Sequence, residues 1–468
     1  MQVVADLHLH SKYSRAVSPK MTLPVMSLVG RQKGIDLLAT GDWTHPLWMK
    51  EIRSQLEESE EGLYRIKSQI VNSKSQVSSN HQSLQSQKEI KFLLSAEISC
   101  IYSQNGKGRR VHNLVFVPSF EAAEKINRKL IVRGCNLTSD GRPIIGLSSK
   151  HLLELILSID ERSLLIPAHI WTPWFGILGM KSGFASLQES FEELADYVYG
   201  IETGISSDPE MNWEIGELDT RSILSFSDAH SPAKMGREAT IFELEDLSYK
   251  NIRKAIMAPS QKPEARSKNQ GNRIVYTIEF YPEEGKYHYS GHRACGITMT
   301  PEEQRQSRGV CPVCGRLVTD GVMRRVQELA NENPRASTKQ NTLGVKWLTD
   351  PKGQHPPFVK IIPLNEIISA AIGSPITSPK VNGMFNTLTT RLESELFVLL
   401  KAPLEEIAKI AGERIAEGVQ KVREGKIVIT PGYDGVYGKV RIWPEKKDEA
   451  KHANKFPKTQ KVQLGLDL

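Results

Sequence analysis

Short apolar runs recur through the first half of the chain, and most of them end in an acid or a histidine. Val3-Val4-Ala5 opens into Asp6-Leu7-His8-Leu9-His10, and Ile35-Asp36-Leu37-Leu38-Ala39 leads to Asp42 and His45. Lys91-Phe92-Leu93-Leu94 leads to Glu97, Leu164 to Ala168 ends at His169, and Ser222 to Phe226 ends at Asp228-Ala229-His230. Val111 to Val117 is a further strand-like run, with His112 at its beginning rather than its end. Helix-like segments, Leu152 to Ile159 and Ser186 to Tyr197, lie between the runs. Short strands alternating with helices predict an α/β protein with a parallel sheet, closed or nearly closed into a barrel, and function at the carboxyl ends of its strands. Side chains alternate along an extended chain, so Asp6, His8 and His10 are expected on one face. Imidazole and carboxylate together suit zinc, iron or manganese better than magnesium. A single His-x-His is a common accident; ligand types repeated after successive runs are not.

Lys50 to Ile90 interrupts this rhythm. Ser68 to Lys88 carries too few apolar groups to offset the entropy of ordering, so residues 54–90 are expected to hold a solvent-exposed insertion, with His81 simply solvated. Composition shifts again after Pro259, where Ser260 to Asn272 reads as a polar, basic linker before a strand-like Ile274 to Tyr281. Next come His292-x2-Cys295 and Cys311-x2-Cys314, two knuckles offering the four ligands of a tetrahedral structural zinc, with His288 as the alternative histidine. Beyond them, apolar spacing predicts helices over Met323 to Asn331, Leu364 to Ile372, Leu388 to Leu400 and Leu404 to Val422. Ile427 to Ile429 and Tyr437 to Ile442 flank Pro431-Gly432-Tyr433-Asp434-Gly435 as a hairpin, and a lysine-rich tail begins at Glu445. The expected units are therefore 1–260, 273–320, 321–444 and 445–468.

Composition narrows the class. A length of 468 residues implies two or three domains, and 39% apolar with 25% charged residues is the balance of a soluble globular protein. No run of eighteen apolar residues occurs, so no membrane span is expected. A ligand-bearing strand at the start argues against a cleaved signal peptide. Five cysteines, three of them clustered, fit metal binding in a reducing compartment, so a cytoplasmic monomer is expected. A net charge of +7 permits association with a polyanion without demanding it.

The ordered set Asp-Leu-His-x-His, Gly41-Asp42-Trp43-Thr44-His45, a lone Glu97, separated His112 and His169, and Asp228-x-His230 resembles the polymerase and histidinol phosphatase (PHP) domain family over roughly Met1 to Pro259. The resemblance implies a distorted (β/α)7 PHP-type barrel, followed here by the small zinc-binding module and a mainly helical C-terminal domain. It also implies two or three catalytic divalent metals (Zn, Mn or Mg) held by His8, His10, Asp42, His45, Glu97, His112, His169, Asp228 and His230, with His8, His10, Glu97, Asp228 and His230 closest to the chemistry and Glu97 bridging. Gly204-Ile205-Ser206-Ser207-Asp208-Pro209 and Ser227-Asp228-Ala229-His230-Ser231-Pro232, followed by a zinc module, resemble a repair-endonuclease branch of that family. That branch nicks DNA on the 5′ side of uracil, hypoxanthine, xanthine and abasic sites.

Further residues enter by position. Arg109 and Arg110 suit either a phosphate backbone near the barrel mouth or an exposed basic turn. Trp171 and Trp174 suit base stacking or loop packing, and Glu202 falls near the site without a decidable role. The tail ends in Gln463-Leu464-Gly465-Leu466-Asp467-Leu468, which resembles the peptide by which bacterial repair proteins dock on the sliding clamp, with Gln463, Leu464, Leu466 and Leu468 as anchors. Competing readings are a small-molecule phosphatase with the same metals and a non-catalytic DNA-binding scaffold.

Overall fold

A computed structural model of the chain describes residues 1–68, 89–258 and 271–444. It is a mixed α/β protein with a central sheet of thirteen strands and a C-terminal helical region. In chain order the strands are β1 (Gln2–Asp6), β2 (Leu37–Ala39), β3 (Leu56–Glu60), β4 (Leu63–Ile66), β5 (Lys91–Gln104), β6 (Lys107–Val117), β7 (Ile144–Ile145) and β8 (Leu164–Pro167). There follow β9 (Gly200–Glu202), β10 (Ser222–Leu224), β11 (Ala239–Glu243), β12 (Arg273–Glu279), β13 (Ser290–His292), β14 (Ile297–Met299), β15 (Ser337–Gln340), β16 (Lys346–Thr349) and β17 (Phe358–Lys360). The main sheet runs β15-β16-β17-β12-β11-β1-β2-β5-β4-β3, with β6 between β5 and β8.

β1 lies at the centre, antiparallel to β11 and parallel to β2. Val3 and Ala5 are fully buried there, which is why so short a strand is so apolar. The parallel expectation holds for β1, β2, β5 and β7 and for β9 with β10, whereas β4, β6, β8 and β11 pair antiparallel. β5 turns back directly into β6 as a long antiparallel hairpin, from Leu94 opposite Val117 to Gln104 opposite Lys107. The cause is local: Asn105 and Gly106 both take positive φ, +52° and +72°, the geometry a two-residue hairpin turn requires.

The segment expected as an insertion begins with structure. β3 and β4 form a hairpin that adds to β5, burying Leu56, Leu63 and Tyr64. Residues 69–88, with His81, lie outside the described residues, as do most of the 260–272 linker and the tail with Gln463, Leu464, Leu466 and Leu468.

In the C-terminal half, β15, β16 and β17 extend the main sheet through β12. Helices Leu364–Ile372, Pro379–Arg391, Glu395–Leu400, Leu404–Ala411 and Glu413–Glu424 pack Ile367, Leu388, Val398, Ile407 and Val419 into a second core. Two of the expected helices are broken. Gly412, at φ +87°, divides the one expected over Leu404 to Val422. Ser394 caps a new start by accepting from the Phe397 N–H at 3.2 Å, dividing the other. Apolar spacing continues across both breaks and so does not register them. Val428–Thr430 and Lys439–Arg441 pair as the expected hairpin. No helix among the described residues is long and apolar enough to cross a membrane.

Candidate metal centre

The loops leaving β1, β2, β8, β9 and β10 converge on Glu97, which projects from within β5 rather than from its end. Beyond β1, Leu7 and Leu9 are buried among core side chains while His8 and His10 turn the other way, as alternation requires. Asp42, His169 and Asp228, each just past a strand, take left-handed φ of +47°, +31° and +46°. Backbone strain of this kind in non-glycine residues persists where surrounding contacts over-determine it, and it concentrates at functional sites.

Two groups of nitrogens and oxygens share Glu97. In the first, His8 Nε2 lies 3.7 Å and His10 Nε2 3.3 Å from Glu97 Oε2, and the same nitrogens lie 3.4 and 3.2 Å from Asp228 Oδ1. In the second, Glu97 Oε1 sits 2.6 Å from His112 Nδ1 and 3.0 Å from His169 Nε2. His230 joins His10 and Asp228 in a third, more open group. All of these side chains except those of Asp228 and His230 are nearly inaccessible to solvent.

Their electrostatics describe a centre that wants positive charge. Burial opposes ionisation of Glu97, yet His112 and Arg142 hold its carboxyl well below the usual range. Asp228 is also held far down by His8 and His10, against burial. Burial works against charge on His8 and His10, but Glu202 and Asp228 for the first, and Asp228 and Asp42 for the second, raise both well above 6.5. His112 is pushed down to about 4 by burial. Protons on His8 and His10 are what a divalent cation would displace.

The donor set fits such cations. Glu202 takes the Nδ1–H of His8 at 2.8 Å, and Asp42 that of His10 at 3.1 Å, leaving both Nε2 atoms aimed inward. His8 Nε2, His10 Nε2 and Asp228 Oδ1 are buried without a hydrogen-bond partner among the described residues. Buried lone pairs facing one another are costly unless a cation sits between them.

Comparisons with known proteins follow the same line. The model for the "MJ0043 C-terminal domain" family matches residues 363–426. An uncharacterized protein of Methanocaldococcus jannaschii, MJ0043, is 31% identical over 59% of the chain, which spans only 32% of that relative's length. The uncharacterized protein YqxK of Bacillus subtilis is 27% identical over 94% of the chain and 99% of its own. The crystal structure of the lesion-specific endonuclease PfuEndoQ from Pyrococcus furiosus superposes with a TM-score of 0.75 at 28% identity, covering 96% of this chain and 99% of that one. Endonuclease Q in complex with a 27-mer duplex carrying an abasic lesion superposes at 0.74 and is 30% identical, with 95% and 98% covered. The chain belongs to the endonuclease Q family.

Within this member of the family, the expected ligands do not all meet. Asp6 stays two residues deeper, accepting from Ser227 N, Ser227 Oγ and Gly236 N, and so anchors the loop that carries Asp228 and His230. Asp42 is occupied by His10, Ser11 N and Ser14 Oγ, so it orients His10 and falls outside the groups. His45 stands at the head of the helix Pro46–Gln55, stacks on Tyr13 and places Nε2 3.3 Å from Thr138 O, while its Nδ1 is buried without a hydrogen-bond partner among the described residues; it falls outside the three groups. Glu202 is resolved in turn as the holder of His8, and it also accepts from the His169 N–H.

The expected DNA contacts divide. Arg109 is buried, bound to Glu189 at 3.0 Å and to Gly183 O, with its guanidinium on the Phe184 ring, so it packs a loop. Trp171 is also buried and donates to Asn212 Oδ1 at 2.8 Å. Arg110 is exposed, and Trp174 is 36% exposed beside Tyr287. Arg142, which no motif singled out, reaches Glu97 Oε2 at 3.0 Å.

His292, Cys295, Cys311 and Cys314 place one donor atom each within 4.8 Å of the others, whereas His288 is buried elsewhere beside Tyr289. Burial opposes thiolate formation at Cys311, but the N–H groups of Cys314 and Val313 draw it down to about 6. A thiolate near neutrality is the form a tetrahedral zinc takes.

Proposed function

We propose that this protein is a DNA repair endonuclease that hydrolyses the phosphodiester on the 5′ side of deaminated bases (uracil, hypoxanthine, xanthine) and of abasic sites. The observation that carries this reading is Glu97, whose two oxygens face two separate histidine groups 3.7 Å or less away. A bridging carboxylate between paired cation positions is the arrangement that phosphodiester hydrolysis by paired metals employs. His8, His10, Glu97 and Asp228 would hold one cation, Glu97, His112 and His169 a second, and His230 with His10 and Asp228 borders a third position. Cations so held lower the pKa of a bound water and stabilise charge on the departing oxygen.

The chain's own part is orientation. Glu202 and Asp42 fix the tautomers of His8 and His10, and such outer carboxylates also raise ligand basicity. Asp6 keeps the Asp228 loop seated. The substrate class comes from the relatives: one is called lesion-specific, and the other was solved with a duplex bearing an abasic lesion. A flipped nucleotide fits that class, because extrusion costs least where pairing is already weak. Arg110 and Trp174 are the exposed groups left to meet it.

Residues 1–260 are read as the hydrolytic PHP-type barrel, 273–320 as a module folded by one structural zinc, and 321–444 as a further domain that β12 ties to the first. The tail's Gln463, Leu464, Leu466 and Leu468 are read as a sliding-clamp peptide, where a tether would raise effective concentration.

The test is a nicking assay on duplex and single strands carrying each lesion, with metal removed by chelator and then restored. The expected result is a metal-dependent nick 5′ to the lesion and none on undamaged DNA. Hydrolysis of free phosphate monoesters alone would return the protein to the small-molecule phosphatases.

A further inference from the structure

Among the described residues, Arg142 is the arginine whose guanidinium reaches Glu97, and its backbone is pinned on both sides. Gly141 N donates to Tyr13 O at 3.1 Å, Thr44 Oγ1 donates to Gly141 O at 3.1 Å, and Arg142 N donates to Asp140 Oδ1 at 3.2 Å. Ser99 N closes the far side on Pro143 O at 2.9 Å. Gly141 is needed for this fit, because a Cβ there would lie 2.4 Å from Asp42 Oδ2, the carboxylate that orients His10. The loop is thus keyed to the centre itself.

Only part of the guanidinium is engaged. Nη1 meets Glu97 Oε2 at 3.0 Å, the sole hydrogen bond of this side chain among the described residues. The side chain remains 27% exposed, in a site where Glu97 is fully enclosed. Glu97 Oε2 is also the oxygen that faces His8 and His10. A cation seated there would share that oxygen with Arg142 and repel its charge at close range. Glu97 lies between the two and offsets part of that repulsion, a further anion would offset more, and a guanidinium fork matches phosphate oxygens in shape.

We infer that Arg142 is a catalytic residue that donates from its free N–H groups to the non-bridging oxygens of the scissile phosphodiester. It neither gives nor takes a proton. It holds the phosphoryl group in line and meets the negative charge that grows on those oxygens. This rests on the hydrolytic reading above.

The experiment compares wild type, Arg142→Lys and Arg142→Ala as metal-loaded proteins. Binding of inorganic phosphate is followed by calorimetry, metal content by mass spectrometry and nicking by single-turnover kinetics. The expectation for Arg142→Ala is wild-type metal content, phosphate binding weakened about tenfold or more, and nicking slowed about 100-fold or more. Arg142→Lys should fall between, and methylguanidinium should restore part of the alanine variant's rate. Phosphate binding unchanged in Arg142→Ala overturns the inference. So does a loss of metal whose replacement by excess manganese restores the full rate, since Arg142 would then only position Glu97. A wild type that nicks no lesion while phosphate binding still depends on Arg142 would refute the repair function and leave this inference standing.

Discussion

Asp42 and Glu202 act alike from different loops, each taking the Nδ1–H of a histidine and leaving the inward-facing Nε2 bare. The sequence displays both as acids at strand ends and cannot distinguish a ligand from the group that holds one, because both roles call for a carboxylate in the same place. His45 has the right spacing from Asp42, but at the head of its helix the buried ring stacks on Tyr13 and its Nε2 meets Thr138 O, outside the groups around Glu97. Buried acids outside the centre left no readable signal. Glu238 and Glu279 meet across β11 and β12, and burial together with Asp208 lifts Glu279 to about 8, while burial and Glu279 lift Glu238 well above 4.5. Lys360 opposes the rise at Glu279, and Thr203 and Thr277 hydroxyls donate to it. Between about 4.5 and about 8 the folded protein binds a proton that the unfolded chain has released. Stability from this group is therefore complete at low pH and is lost as pH rises through 8. Thermal melts at pH 5 and pH 9 should show wild type falling further than Glu279→Gln; parallel falls would refute the buried-proton account.

Strands were read from apolar runs, and the runs were in the right places; their directions were harder. Asn105-Gly106 forms the turn of the β5–β6 hairpin, which was not identified from the sequence, and a long run without alternation looks the same in a parallel and an antiparallel sheet once both faces are buried. That hairpin is what sets His112 beside Glu97. A similar dependence on backbone shape appears at the end of β9, where Gly204 takes φ +58° directly against His169. A Cβ there would lie 2.3 Å from His169 Cβ, so Gly204→Ala must displace the ring. Misplacement of about an ångström costs on the order of 100-fold in rate. Nicking kinetics should show that loss together with reduced metal content, while a variant of full activity would mean that the loop gives way instead.

At the scale of the molecule, the two halves are joined by more than the shared sheet. Lys33, at the end of the helix Leu23–Lys33, is buried against Glu395, which also accepts from the Leu364 N–H. Removing one partner of a buried pair strands the other charge, at about 3–5 kcal/mol. Glu395→Ala should therefore lower global stability by about that amount in urea denaturation, with the first and second halves losing structure together. An unchanged midpoint would show that the pair is not a strut. No pattern in the sequence could join Lys33 to Glu395, since contacts at such separation are written only in the fold.

Distance along the chain matters in another way. Asp6 closes on Ser227, 221 residues later, and that closure, together with His10 N on Ala229 O and Ser18 N on His230 O, seats Asp228 and His230 over the histidines of the first loop. A polypeptide still leaving the ribosome holds just the first pieces of the cutting apparatus. A fragment that ends before Ser227 therefore lacks the acid and the imidazole that complete the cluster, and the centre becomes whole only once nearly half of the protein has been made.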